Sequence, residues 1–534
     1  MSEITSENFF SELPIIETKL KDSAFVCFDL EFSKLNDEKH APFTFFDTLE
    51  ERYHKLHLKV SDITCIQLGL SFFVYDAHDK VFQVSSYSFY TFPKTYLKYD
   101  GIIKFQTSCV EFLCKHNFNF NKLFNNGISY LTDEQENQMK LEMADDSFSD
   151  SYLKKSKYRI INEEMCHQLK IVTEWYENAI DGDNISVKKL KSNDPVFTYL
   201  LQYHIMNKCE HVCLQEDLHT INIIKITSKD EKSNTLNAKN NEASKQILFK
   251  KMLGIKHLLN LLSETKKPLV GHNCAMDILI LCNQFYNPLP DTFKEYKSFL
   301  SNKFGPIYDT KLMCKTFRKL LPKNVNWDGS SLSEIYTFLK DGDAKIYSDA
   351  LFIQPSIVEE RNEMKLHHAG WDAYYTGYCF VKIIHITKNF SSKTENVNRR
   401  YTLTELLKSV DLLKNKMFTS RLLTNCIDLE ADDNNVLPEC LIIKSKGLFP
   451  KSLKLSKLKI DMHQIICNYD MRLISNSAVL IGLPVINNRI ISEIKSKYTV
   501  EKYSKYKDKK KKQYLSLSII TLSCVAIALF CLRK

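Results

Sequence analysis

Asp29 and Glu31 interrupt the run Phe25 to Phe32 (FVCFDLEF), eight residues that are otherwise aromatic, branched or small and apolar. Such a run reads as a buried β-strand. A strand sends residues i and i+2 to one face, so the two carboxylates project side by side. Adjacent anions repel, and taking them out of water is costly unless cations neutralise them. A divalent metal is the simplest relief; a strand that turns an acidic face to solvent is the alternative. Two more acids stand in comparable settings. Asp277 lies about one turn into a helix that follows the short apolar strand Lys267 to Gly271, and Asp372 lies in the first turn of a helix from Gly370 to Thr387. His367 precedes Asp372 by five residues. Each acid taken singly reads equally well as a surface or capping carboxylate. Together they suit a two-metal phosphodiesterase, in which Mg2+ or Mn2+ ions roughly 4 Å apart clamp the attacking and leaving oxygens. A histidine titrating near neutrality would take the proton of the attacking water.

The elements that must bring these residues together can be read in outline. A helix is expected around Phe46 to Leu58, then strands at about Thr64 to Tyr75 and Val81 to Phe92 joined by a turn at Asp76 to Asp79. The carboxylate strand therefore belongs to an antiparallel meander. Ser108 to His116 reads as a short helix and Phe118 to Tyr130 as loop-rich. From Asp146 to Ser263 the texture changes to an insertion: helices at Asn162 to Asn178 and Pro195 to Lys208, a polar run at Ser228 to Ala243, and a helix from Ser244 to Leu262. Asn273 is the expected cap of the Asp277 helix. A strand or turn follows at Ile307 to Lys311, and a Ser-capped helix at Ser331 to Leu339. Beyond a polar linker (Ser391 to Arg399), strands near Glu439 to Lys444 and Ala478 to Leu483 indicate a small α/β module.

Composition narrows the class. The chain has 534 residues, 44% hydrophobic and 12% aromatic, which excludes a disordered protein. Its net charge of +9 favours a polyanionic partner. Sixteen cysteines are scattered without a C-x2-C pair, and Cys209 to Cys213 (CEHVC) lacks a second ligand pair. They read as reduced thiols in a cytosol-facing protein with no N-terminal signal peptide. Tyr514 to Leu532 is uncharged, preceded by Lys507 to Lys512 (KDKKKK) and followed by Arg533 and Lys534. This pattern predicts a single transmembrane tail anchor. Its shortness and basic flanks lean towards the mitochondrial outer membrane, with the endoplasmic reticulum as the alternative.

The motifs Phe28-Asp29-Leu30-Glu31-Phe32, Val270-Gly271-His272-Asn273-x3-Asp277, Tyr308-Asp309-Thr310-Lys311 and His367-x4-Asp372 occur in that order. In this the chain resembles the DEDDh 3′→5′ exonucleases, and more closely the poly(A)-specific ribonuclease (PARN) group. Phe124 to Leu131, Gln284 to Pro290 and Ala369 to Tyr374 add to the likeness, which covers about 1–145 and 260–390. The resemblance implies an RNase H-like α/β fold and a metal-dependent exoribonuclease that releases nucleoside 5′-monophosphates. It makes Asp29, Glu31, Asp277 and Asp372 ligands of two Mg2+ (or Mn2+) ions and His367 the general base, with His368 as its rival. It places Phe32, Leu35, Val110 and Phe112 against the terminal nucleotides and Lys311 near the RNA.

Departures from PARN guide the choice of substrate. The Arg/His pair that marks its inserted nucleic-acid-binding module is missing; Tyr199 to His204 is the nearest stretch. The C-terminal module lacks the aromatic strand on which an RRM-like domain stacks bases. A PARN-like nuclease with a C-terminal span resembles the PARN-like domain-containing trimmers, which shorten PIWI-bound piRNA precursors at the mitochondrial surface. The expected layout is a nuclease domain in two parts (1–145 and 264–390), an insertion (146–263), a C-terminal α/β module, RRM-like in the resemblance (400–500), and a membrane helix (514–532). The expected partners are the 3′ end of a single-stranded RNA, a PIWI-type protein with a Tudor-type adaptor, the membrane, and a second copy in a homodimer. A poly(A) deadenylase and a catalytically silent RNA-binding adaptor are the competing readings.

Overall fold

The structure, a computed structural model, describes residues 1–35, 42–93, 101–144, 159–188, 195–217, 220–226, 245–286, 288–322, 330–342, 353–355, 365–392, 399–421, 426–431, 440–446, 452–484 and 486–509. The chain opens with β1 (Ser2–Ile4) and a helix (Phe9–Asp22), then lays down β2 (Phe25–Phe32). The helix Leu49–Val60 follows, started by a capping box in which Thr48 and Glu51 satisfy each other's backbone N–H groups. β3 (Cys65–Asp76) and β4 (Val81–Tyr90) complete the antiparallel meander β2–β3–β4 that the sequence predicts. A bulge between Glu31 and Phe32 ends the β2–β3 ladder just past the second carboxylate. The stretch expected to be loop-rich instead contains a helix, Phe120–Asn126, because Asn119 caps it by accepting from Lys122 N.

The middle of the chain forms a small sheet of its own. Between the helices Arg159–Asn178 and Pro195–Lys208 runs β5 (Asn184–Lys188), and after them β6 (Val212–Glu216) and β7 (Thr220–Lys225), ordered β5–β7–β6. Its apolar cluster includes Leu169, Phe197, Leu200, Ile221 and Ile223. The helix expected to run on to Leu262 breaks at Gly254, whose φ is +51°. A Cβ there would lie 2.0 Å from the Ser129 carbonyl oxygen, so only glycine lets the two segments touch. Helix resumes at Lys256–Thr265.

The chain then returns to the main sheet with β8 (Leu269–Gly271), the helices Ala275–Phe285 and Phe293–Lys303, β9 (Ile307–Asp309) and the helix Thr310–Phe317. β10 (Ile353–Pro355), the long helix Ala369–Ser391, β11 (Lys416–Phe418) and β12 (Cys426–Asp428) complete this part. Among the described residues the main sheet has nine strands, in the order β1–β4–β3–β2–β8–β9–β11–β12 with β10 also on β4. β2, β8, β9 and β11 are parallel, so their carboxyl ends share one edge. Its two faces carry separate apolar clusters. Val26, Phe28 and Leu30 pack with Ile278 and Leu279 on one side, and Phe25, Cys27 and Phe73 pack with Met313, Phe317 and Phe380 on the other.

A four-stranded antiparallel sheet closes the described chain: β13 (Leu441–Lys444), β14 (Asp470–Ser475), β15 (Ala478–Gly482) and β16 (Thr499–Lys502), ordered β14–β15–β13–β16. The helices Leu455–Ile465 and Asn488–Lys497 bury one face with Leu441, Ile443, Val479 and Ile481. The other face (Cys440, Ile442, Ala478, Leu480) is covered by Phe46, reaching in from before the Leu49–Val60 helix. Arg52 ties the same helix to the segment just after β11. Its guanidinium, 1% exposed, donates to the Ser420 carbonyl at 2.5 Å, the Arg421 carbonyl at 2.8 Å, Thr419 Oγ1 at 3.0 Å and the Thr44 carbonyl at 3.2 Å.

The expected transmembrane helix is corrected. Among the described residues no helix is long and apolar enough to cross a membrane. The longest, Ala369–Ser391, carries Asp372, Lys382 and Lys388 and is buried against the sheet and its own cluster. Residues 514–532 lie outside the described residues, as do the polar run 228–243 and most of the 391–399 linker. Membrane anchoring, and the mitochondrial or reticular location drawn from it, are withdrawn.

Candidate active site

Alternation along β2 aims Asp29 and Glu31 at the face on which the Ala369–Ser391 helix lies, the same side as Phe25 and Cys27. Gly69 on β3 sits opposite Asp29. A Cβ at Gly69 would lie 1.9 Å from the Ala369 carbonyl oxygen, so a missing side chain lets the helix start touch the sheet. One turn pair further along, Gly377 leaves space for the Phe73 ring, which a Cβ would meet at 2.1 Å. Two hydrogen bonds pin the first turn: Ala369 N donates to Gln67 Oε1 at 3.0 Å, and Gly370 N donates to Ser88 Oγ at 3.1 Å. Gln67 is itself the register partner of Glu31. The contacts that dock the helix are thus made by the strand residues beside the two acids, and they deliver Asp372 to them.

Carboxylate oxygens of Asp29, Glu31 and Asp372 all lie within 4.8 Å of one another. Glu31 and Asp372 are buried and Asp29 is half-buried. Asp372 Oδ2 accepts from His367 N at 2.9 Å, while Oδ1 is buried with no partner among the described residues. Burial, then the charges of Asp372 and Asp277, push the Glu31 carboxyl up to about 8. Asp29 is driven well above the carboxylate range by burial and by Asp372, Asp277 and Glu31. Asp372 rises to about 7, mainly through burial. Asp277 lies outside the group of three, yet its charge acts on both β2 acids, and burial lifts its own carboxyl to about 7. Such a set of hard oxygens, one of them orphaned, fits a divalent cation better than it fits protons.

Asp277 is positioned differently from expectation. Asn273 does not cap its helix; it sits at φ +58°, Cys274 takes the N-cap position, and neither side chain caps. The N–H groups of Asn273 and Cys274 donate instead to Asp309, at 3.0 and 3.2 Å. Asp309 is fully buried and also accepts from Lys311 N, Leu312 N and Phe418 N. One carboxylate therefore ties together the ends of β8, β9 and β11. The sequence reading gave Asp309 no role, although an acid in the short apolar strand before Thr310 was its visible signal.

His367 takes the left-handed conformation, φ +59°, a strained backbone for a non-glycine residue. Its ring stands 4.6 Å from Phe112 and 4.2 Å from His116, centroid to centroid. Burial and the His116 charge lower its pKa, which favours the neutral, proton-accepting imidazole. His368 points elsewhere, Nδ1 lying 3.1 Å from Ser88 Oγ and Nε2 3.4 Å from Glu3.

The five expected RNA contacts are dispersed around this centre. Phe112, 39% exposed, touches His367, and Val110 is on the same helix, Thr107–Lys115. Leu35, 43% exposed, is tied to that helix through Gln106, whose Oε1 accepts from Leu35 N at 3.1 Å. Phe32 packs half-buried on the apolar cluster of the opposite face. Lys311 stands two strands from β2, at the start of the Thr310–Phe317 helix, with its ammonium 5.1 Å from the Phe418 ring centroid.

Comparison with known proteins agrees with this architecture. The CAF1 family ribonuclease model matches residues 4–380. The pre-piRNA 3′-exonuclease trimmer of Bombyx mori is 31% identical over 386 residues, 72% of this chain and 71% of that protein. The human poly(A)-specific ribonuclease PARN is 27% identical over 541 residues, 96% of this chain and 81% of that protein. The human poly(A)-specific ribonuclease PNLDC1 is 28% identical over 370 residues, covering 67% of this chain and 68% of that one. Since the family match runs unbroken from β1 into the helix that carries Asp372, the chain belongs to the CAF1 family ribonucleases, on their PARN-like side, and is a 3′→5′ exoribonuclease.

Proposed function

We propose that this exoribonuclease trims the 3′ ends of single-stranded small-RNA precursors one nucleotide at a time, using divalent metal held by Asp29, Glu31, Asp372 and Asp277. The observation that carries the reading is the meeting of three carboxylates from β2 and the Ala369–Ser391 helix around the unpartnered Asp372 Oδ1. When bound, Mg2+ or Mn2+ supplies the positive charge that polarises the scissile phosphate. His367 accepts the proton of the attacking water, its imidazole biased towards the neutral form by burial and held beside Phe112 and His116. Phe112 offers an exposed ring on which the terminal base stacks, with Leu35 and Val110 beside it and Phe32 behind. Lys311 contacts the RNA backbone further from the end. A PIWI-type protein with a Tudor-type adaptor presents the precursor in this reading, which draws on the 31% identity to the trimmer.

The second reading, a deadenylase, draws on the match to PARN over 96% of the chain. The full chain with Mg2+ and 5′-labelled RNAs ending in A-rich or mixed tails separates the two. Stepwise shortening at similar rates, abolished by chelation, is the expected result. Strong dependence on A would replace the trimmer with the deadenylase, and binding without shortening would leave only the silent adaptor.

A further inference from the structure

The Thr310–Phe317 helix presents a second lysine one turn after Lys311. Lys315 Nζ lies 4.1 Å from the Phe418 ring centroid and Lys311 Nζ 5.1 Å from the same ring. Neither ammonium has a carboxylate within ion-pairing distance among the described residues. Two like charges are therefore gathered over one aromatic face, with no carboxylate of the described residues between them. A cation over a ring gains only about 0.5–1 kcal/mol at an exposed site, which does not neutralise a neighbouring charge. The strain is visible in Lys315, whose pKa is lowered by burial and by Lys311.

Their position gives the pair a purpose. Phe418 is fixed at the carboxyl end of β11 by its N–H, which donates to Asp309 Oδ2 at 2.9 Å. The same Asp309 holds the N–H groups of Asn273 and Cys274, the two residues just before the Asp277 helix. Lysines and carboxylates therefore share the edge where the parallel strands end, and the Thr310–Phe317 helix packs in the same apolar cluster as the Ala369–Ser391 helix. β9 and β11 are two and three strands from β2, a displacement of about 10–14 Å at ~4.8 Å per strand. At that displacement the lysines line the sheet edge beside the acids, which suits a phosphate that enters the site later.

We propose that Lys311 and Lys315, held over the Phe418 ring, form a cradle for an internal phosphate of the RNA, upstream of the linkage being cut. The family likeness implies only that Lys311 lies near the RNA; Lys315 and the Phe418 ring join it in the folded chain, and their pairing makes a built anion subsite. The cradle rests on the exoribonuclease reading for its ligand. It contacts the backbone alone, so it grips any sequence and slackens each time the strand shortens past it. Salt weakens the grip, because each phosphate contact releases counterions.

The test is RNA binding by the full chain in EDTA, followed by anisotropy of a 5′-labelled oligonucleotide and so independent of turnover. K315Q is expected to weaken binding about tenfold, the loss of one charged contact, and to reduce the salt slope of log K by about one. A scan of single neutral methylphosphonate linkages along the RNA should find one internal position where the unaltered protein loses about tenfold and K315Q loses nothing further. F418L should fall between the two. Unchanged affinity in K315Q with a normal melting curve, or equal sensitivity of both proteins at every linkage, would overturn the cradle. Absence of metal-dependent shortening by the unaltered chain would overturn the nuclease reading instead, leaving the binding result to stand or fall on its own.

Discussion

At the scale of single residues, the site is dominated by the cost of keeping anions together out of water. Glu31 and Asp372, raised to about 8 and 7, hold protons more tightly in the folded chain than in the unfolded one. The folded state therefore carries extra protons between about pH 4, the ordinary carboxylate range, and about pH 8, and stability falls as pH rises through that window. Metal-free protein should melt at a lower temperature at pH 8 than at pH 6, and Mg2+ should raise the melting temperature most at pH 8. The difference between unaltered protein and E31Q in calorimetry isolates the contribution of the site. D372N should abolish metal-dependent turnover while raising the metal-free melting temperature, since it removes one of the repelling charges; a lower melting temperature would mean that the acids are not strained. H367A should lose about 10²–10⁴-fold in turnover yet keep the stabilisation by Mg2+, because its ring holds a proton and not the ion. H368A should lose far less, since its partners are Ser88 and Glu3.

At the scale of elements, the decisive contact is backbone on backbone. The Ala369–Ser391 helix reaches the acids only because Gly69 and Gly377 have no side chains in its path. G69A has no flexible neighbour to push aside, since the nearest atom is a carbonyl oxygen. The variant should lose about 1–3 kcal/mol in denaturant unfolding and at least tenfold in turnover, with weaker Mg2+ stabilisation as Asp372 is levered away from β2. Stability lost with metal response intact would show that the helix start is not what sets the site. The Asp309 clamp works on the other side in the same way, converting the ends of three strands into one rigid mount for the Asp277 helix.

At the scale of the whole molecule, the C-terminal sheet is committed to the nuclease. Phe46 covers the face opposite its helices, and Asp470 accepts from Phe45 N and from Arg421, so the sheet docks where a free base-stacking surface would otherwise be. Arg52 ties the Leu49–Val60 helix to the segment just after β11, whose Arg421 in turn reaches Asp470. R52A leaves three backbone carbonyls without their donor and should cost about 2–4 kcal/mol, read as a lower unfolding midpoint and faster proteolysis between 419 and 470. R52K should not rescue it, because an ammonium cannot reproduce the planar fork. Rescue by lysine would mean that charge alone holds the junction.

The sequence by itself determined what local chemistry controls. Alternation in Phe25 to Phe32 set which residues share a face, and Ser331 marked where its helix begins, whereas the helix expected from Phe46 begins at Leu49 behind the Thr48 capping box. The order of the acid motifs named the family. What it could not determine were approaches between distant segments. Nothing near Asn273 announces that its N–H will donate to Asp309, thirty-six residues on, while the helix after it goes without a side-chain cap. Nothing near Phe46 says that it will cover a sheet formed four hundred residues later, and the uncharged stretch at 514–532 gave a membrane reading that no described helix supports. Local patterns depend on a few neighbouring side chains, whereas docking depends on which surfaces find atoms that fit them, as at Gly69, and only the folded chain supplies those atoms.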